Sequence, residues 1–165
     1  MGNLLFSPSG RINSGDFMKG VTLIVIVTVV LGLLPVLSTG LAALGIIGFV
    51  FLWCWVVLWV KRYHDAGKSG WMCLVPIIVY IIVALIVNSV VSSMFIDPNF
   101  AAVIEEATES GDLSALFKAA GSGGLTKTGL IVKALAAGAV SYGIAFLFNN
   151  MIKGDAGDNQ FGPQT

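Results

Sequence analysis

Between Lys19 and Lys61 the chain carries no ionisable acid or base, and two similar runs follow, Ser69 to Ile96 and Ala134 to Ile152. A helix needs about 20 apolar residues to cross a hydrocarbon core of roughly 30 Å. The first run has room for two crossings, and Pro35-Val36-Leu37-Ser38-Thr39-Gly40 sets turn-forming residues at its middle. The pattern predicts four spans, near 20–37, 41–60, 71–94 and 129–149, with one long loop over 95–128. Lipid offers no water to satisfy backbone N–H and C=O groups, so such spans must be helical. The expected fold is an all-α integral membrane protein, with residues 1–165 forming one membrane domain.

Composition points the same way. Hydrophobic residues make up 56% of the 165 and charged residues 11%, against about 45–50% and about 25% in soluble domains. Too little polar surface remains for a soluble enzyme, a disordered tail or a disulfide-stapled module. Nine Lys and Arg balance nine Asp and Glu, so no basic excess invites nucleic acid. Arg11 and Lys19 ahead of the first span imitate a signal peptide. The leading segment is too long for one, however, and a second span follows at once, so a retained anchor is expected. Cys54 and Cys73 lack CxxC spacing and read as packing residues.

Lys and Arg near span ends bias a loop toward the cytoplasm. Four spans put Arg11, Lys19, Lys61, Arg62, Lys68 and Lys153 on one side and Lys118, Lys127 and Lys133 on the other. Both termini are therefore expected in the cytoplasm. The 95–128 loop then faces outward, with Glu105, Glu106 and Glu109 in its first half. Asp97-Pro98 reads as a helix start, with Phe100, Val103, Ile104 and Ala107 at helical spacing behind it. Leu113, Leu116 and Phe117 imply a second short turn, and Gly121-Ser122-Gly123-Gly124 reads as a flexible hinge. The segment suits an amphipathic connector on the membrane surface better than an acidic lid.

The densest polar stretch is Lys61 to Trp71, which holds the only histidine, His64, directly before Asp65. Gly67-Lys68-Ser69 resembles the end of a phosphate-binding loop, but that motif needs a glycine where Arg62 stands. One histidine without a second ligand at helical spacing makes a poor metal site. Neighbours in sequence such as His64 and Asp65 rarely face each other, so acid–base catalysis is not expected. The simpler reading is a short cytoplasmic turn whose Lys61, Arg62 and Lys68 meet anionic head groups, with Trp71 anchoring the next span.

Mid-span positions carry no Asp, Glu, His or Arg, which weighs against a coupled transporter. Asn88, Ser89, Ser92 and Ser93 give the third span a polar end. In the fourth span Ala137, Ser141 and Ala145 recur every fourth position, as do Ala134 with Gly138 and Ala139 with Gly143. Such stripes let helices approach closely, so Ala137, Ser141 and Ala145 are a candidate packing face. Phe49, Phe51, Trp53, Trp55 and Trp59 in the second span suit lipid contact.

Three segments together resemble a known family. Phe6-Ser7-Pro8-Ser9-Gly10-Arg11-Ile12-Asn13 resembles its opening GRINR element, and Arg62-Tyr63-His64-Asp65-Ala66-Gly67-Lys68-Ser69-Gly70-Trp71 its central RLHDxGxSGW element. Gly157-Asp158-Asn159-Gln160-Phe161-Gly162-Pro163 resembles its closing GxNxYGP element. The family is domain of unknown function 805, the YhaH-like bacterial inner-membrane proteins. The chain departs from it after the first element, where only Phe17 keeps the usual aromatic character, and in a longer 95–128 loop. The resemblance implies a small multi-span inner-membrane protein and supplies no catalytic residue.

All three segments fall on the side expected to be cytoplasmic, so Arg11, Asn13, Arg62, His64, Asp65, Lys68 and Asn159 are candidates for one polar cap beneath the bundle. The expected function is a non-catalytic structural or interaction protein, or an accessory subunit of a larger membrane complex. It needs no cofactor or metal, and its partners are lipid head groups and a membrane protein met through the fourth span or the outer loop. The alternatives are a small facilitator with Asn88 and Ser92 facing a polar cavity, and a head-group enzyme using His64 and Asp65 in one cleft.

Overall fold

A computed structural model describes residues 5–38, 41, 44–45 and 47–164. Six α-helices account for most of them: α1 (Ser14–Leu37), α2 (Gly48–Asp65), α3 (Leu74–Phe95), α4 (Phe100–Ser110), α5 (Leu113–Ser122) and α6 (Lys127–Met151). A 3₁₀ turn, Gly70–Cys73, leads into α3. Among the described residues the only bridges are two isolated pairs, Ile96 with Leu125 and Asn159 with Gly162. Three helical stretches are long and apolar enough to cross a membrane: α1, the 3₁₀ turn with α3, and α6.

The elements shift the expected boundaries for identifiable reasons. Helix α1 starts six residues early because the Asn13 side chain accepts the Asp16 N–H at 2.8 Å and caps it. It runs through Pro35, which lies in the last turn and disturbs little beyond it. The expected break thus begins only at Ser38, and Thr39 and Gly40 lie outside the described residues. Helix α2 has 18 residues, and its last five include Lys61, Arg62 and Asp65. It therefore does not match the other three in apolar length, and part of the expected 41–60 span also lies outside the described residues.

The 95–128 segment corrects two expectations. Its second half is a ten-residue helix, α5, capped by the Asp112 carboxylate on the Ser114 and Ala115 N–H groups. The Gly121–Gly124 stretch is a fixed helix end rather than a hinge. Gly123 and Gly124 take left-handed φ values of 57° and 74°, and a Cβ on Gly124 would sit 2.9 Å from the Phe100 ring. Hydrogen bonds from Asp97 N–H to Gly124 O and from Thr126 N–H to Phe95 O close the segment onto the adjoining ends of α3 and α6.

Helix α6 is central: α1 lies along one side of it and α3 along another, while α2 packs on α1. The α1–α6 seam depends on small residues, since any side chain at Gly138 would overlap Val29 and a Cβ on Gly32 would stand 3.2 Å from that of Ala134. The expected stripe divides here. Ala145 is fully buried in the core, Ala137 is exposed and Ser141 half-buried, while the other expected pair, Ala134 with Gly138, supplies the seam. The aromatic residues of α2 divide in the same way. Phe49 and Trp53 are exposed, whereas Trp59 is 3% exposed, with ring centroids 4.7 Å from Phe17 and 6.1 Å from Phe148. The apolar core is thus concentrated toward the end of the bundle where α2 finishes.

Candidate functional site

That end also gathers the buried charge. Gly10 adopts a left-handed φ of 81° and turns the N-terminal segment so that Arg11 enters the protein, where it is 7% exposed. Its Nε donates to Asp65 Oδ1 at 2.9 Å, Nη1 to Gly157 O at 2.7 Å and Nη2 to Asp155 O at 2.8 Å. One turn before Asp65, on the last turns of α2, Arg62 donates from Nη1 to Asp65 Oδ2 at 2.7 Å. Its Nε reaches Asn149 Oδ1 at 2.6 Å, and its Nη2 reaches the Asn149 and Ile152 carbonyls. Those carbonyls belong to the C-terminal end of α6, where unpaired C=O groups and the helix dipole favour a cation. Asn149 completes the link to α1 by donating to Ser14 Oγ at 2.7 Å.

The carboxylate of Asp65 therefore lies between two guanidinium groups, each using a different oxygen. The trio is buried and carries a net positive charge, and main-chain carbonyls of α6 and the C-terminal segment share the remaining donors. Burying ions is unfavourable unless geometry and hydrogen bonding are good. No buried side-chain N or O among the described residues lacks a partner.

The C-terminal segment is bound by the same residues. Asp155 N–H donates to Asp65 O at 2.7 Å, and Asn159 Nδ2 donates to His64 O at 3.0 Å and Asp155 Oδ2 at 2.9 Å. His64 lies flat on Phe161, with centroids 3.8 Å apart and planes 3° apart. Its Nδ1 is 3.1 Å from Gly10 O, and since a carbonyl can only accept, Nδ1 carries the proton in this bond. His64 and Asp65 point different ways. His64 lines an open groove with Trp71 and Phe161, while Asp65 is turned inward to the arginines.

Five of the candidate cap residues thus come together: Arg11, Arg62, His64, Asp65 and Asn159. Asn13 does not join them, because its side chain is used on Asp16 at the start of α1. Lys68 is exposed, with its backbone N–H on Tyr63 O. The head-group reading of Lys61 and Arg62 is corrected as well. Helix α2 extends past them, which buries both, and the turn follows at Gly67, with φ 66°. Sequence reasoning missed Asn149, Ser14 and Asp155. The polar pair Asn149-Asn150 at the end of an apolar run was the available signal for the first. Among the described residues no three His, Cys, Asp or Glu side chains group as metal ligands.

No curated protein and no solved structure matches the chain. Residues 5–163 match the family described as protein of unknown function, DUF805. The match runs from before Arg11 to beyond Phe161 and so contains every residue of the buried cluster; the chain belongs to the DUF805 family.

Proposed function

We propose that this is a non-catalytic, multi-pass protein of the bacterial inner membrane that serves as a structural or interaction subunit of a larger membrane complex. The observation that carries this reading is the use of the arginine–aspartate trio. Both guanidinium groups and both carboxylate oxygens are spent on holding the N-terminal segment, α2, α6 and the C-terminal segment together. A residue set so engaged is a clamp, and the divergence of His64 from Asp65 deprives a head-group enzyme of its acid–base pair. The structural reading is favoured over the facilitator reading because Asn88 is exposed and, among the described residues, neither it nor Ser92 is in the walls of the two cavities that adjoin α2.

In this reading α2 makes the fourth crossing. The clamp lies on the cytoplasmic side with both termini, as six basic residues against three favour. Helices α4 and α5 lie along the opposite membrane surface, where exposed Leu113 and Phe117, one turn apart on α5, meet lipid. The partner meets the outward face of α6, on which Leu135, Tyr142 and Phe146 are exposed. Purification in mild detergent, with identification of what remains bound, tests the reading. A membrane protein in fixed ratio, released by Tyr142→Ala with Phe146→Ala, is expected. A stable single chain with no companion would overturn it. Reporter fusions at residue 65 and the C-terminus check the topology and must report the same side.

A further inference from the structure

Helices α2 and α3 are joined by a short turn near the clamp, yet along their lengths each relies on a different neighbour, α2 on α1 and α3 on α6. The space beside α2 holds two cavities, one of about 380 Å³ walled mainly by α1, α2 and α6 with Tyr80 from α3, and one of about 330 Å³ between α2, α3 and α6. Both have Leu52, Trp55, Tyr80 and Ser141 in their walls, so they adjoin and form one crevice. Its deeper part is walled by Trp59, Pro76, Ile77, Ile81 and Ile144 and is almost wholly apolar. Its other part opens beside Ser122 and Lys133, at the end away from the clamp. Along α6 the walls run from Leu130 to Ile144, about 21 Å at the rise of an α-helix.

An apolar cavity of this size stays dry and takes apolar guests, and its volume falls in the range of ligand sites. Within a bilayer the abundant apolar guest is an acyl chain. A length of about 21 Å exceeds one leaflet's share of the hydrocarbon core, about 15 Å, which leaves room for a chain and the linkage to its head group. The charge in the walls is as informative as their apolarity. Among the described residues Lys133 is the only charged side chain lining either cavity. It belongs to none of the ion pairs Arg11–Asp65, Lys19–Asp16 and Arg62–Asp65.

From these features we infer that the crevice that α2 forms with α3 and α6 is a binding site for one anionic phospholipid of the bilayer. The acyl chain lies between Trp55, Trp59 and Ile81, and the phosphate sits at Lys133. The inference rests on the reading that these helices cross the membrane, but not on any protein partner.

The test is native mass spectrometry of the protein released from bilayers of equal phosphatidylglycerol and phosphatidylcholine. The wild type is expected to retain one lipid and to prefer the anionic one by about five-fold, the worth of one lysine beside an anionic head group. Lys133→Gln is expected to keep a lipid but lose the preference. Ser141→Trp fills the crevice at its waist and is expected to lose both lipids; Ala137→Leu, at the more open part, is a milder filling change should the tryptophan prevent folding. Equal retention of the two lipids by the wild type, an undiminished preference in Lys133→Gln, or unchanged retention in the filled variants would overturn the inference. Because the readout is bound lipid, loss of a protein partner leaves it unaffected.

Discussion

Arg11 and Asp65, separated by 54 positions, meet at 2.9 Å in the protein interior, each side chain less than a tenth exposed. The pair joins the segment before α1 to the end of α2, and Arg62 on the second carboxylate oxygen extends the junction to α6. A buried carboxylate so placed compensates two cations, so its removal differs in kind from the loss of a surface ion pair.

Asp65→Asn should therefore destabilise the protein strongly. Taking one partner from a buried ion pair costs about 3–5 kcal/mol, because the remaining charge stays out of water. Here two guanidinium groups would be left. Asp16→Asn, which removes the exposed pair with Lys19 and weakens the longer contact with Asn13, should cost about 1 kcal/mol or less. Thermal unfolding of both variants in the same detergent, followed by circular dichroism, checks the ordering. Similar losses would show that the trio is not a clamp.

The C-terminal segment should depend on Gly154. A Cβ there would overlap the Asp65 carboxylate, and the adjoining Asp155 makes the backbone bond to Asp65 O. In Gly154→Ala the segment should detach, and trypsin should cleave after Lys153 at least several-fold faster than in the wild type. Gly157→Ala is the control, because nothing stands within 4 Å of a Cβ at that position. Equal cleavage rates in both variants would count against the docking described here.

The α1–α6 seam gives a second pair of opposed glycines. Gly138→Val would drive methyl groups into Val29, and overpacking of this kind costs roughly 1–3 kcal/mol. Gly143, five residues on, faces open space, and Gly143→Ala should be neutral or stabilising, since alanine is the better helix former by about 1 kcal/mol. Unfolding midpoints of the two variants should move in opposite directions or differ by that margin.

Much of this architecture is legible in the residues themselves. Charge-free runs locate α1, α3 and α6, because the absence of ionisable groups over about 20 residues has few explanations outside a membrane. Arg11, Arg62, His64, Asp65 and Asn159 are polar residues on one expected side, and topology alone brings them near one another. What they do there is not legible. Helix α2 runs on to Asp65 because Arg62 finds the end of α6, a contact between residues 87 positions apart that no local pattern encodes. Trp59 and Trp53 are equally apolar in sequence, yet only the neighbours of α2 decide which is buried. Likewise Gly121–Gly124 resembles a linker until Phe100 is seen against it.

Asp112 ties the folding of α5 to pH. Its carboxylate accepts the Ala115 and Ser114 N–H groups at the start of the helix, and these bonds hold its pKa below the ordinary carboxylate range. The folded form is thus the stronger acid. The stabilisation it brings is complete above the pKa of the unfolded chain and is lost as pH falls through the lower, folded value. Helix α5 should accordingly stay intact from neutral pH into the mildly acidic range and loosen only under strong acid. Asp112→Asn should keep the helix, since asparagine caps about as well as aspartate, but remove this pH dependence. Asp112→Ala should loosen α5 at every pH. The amide resonances of Ser114 and Ala115, followed by NMR from neutral to acidic pH, report all three cases. A titration in Asp112→Asn matching that of the wild type would assign the pH response to another group, with Glu109 the nearest acid in sequence.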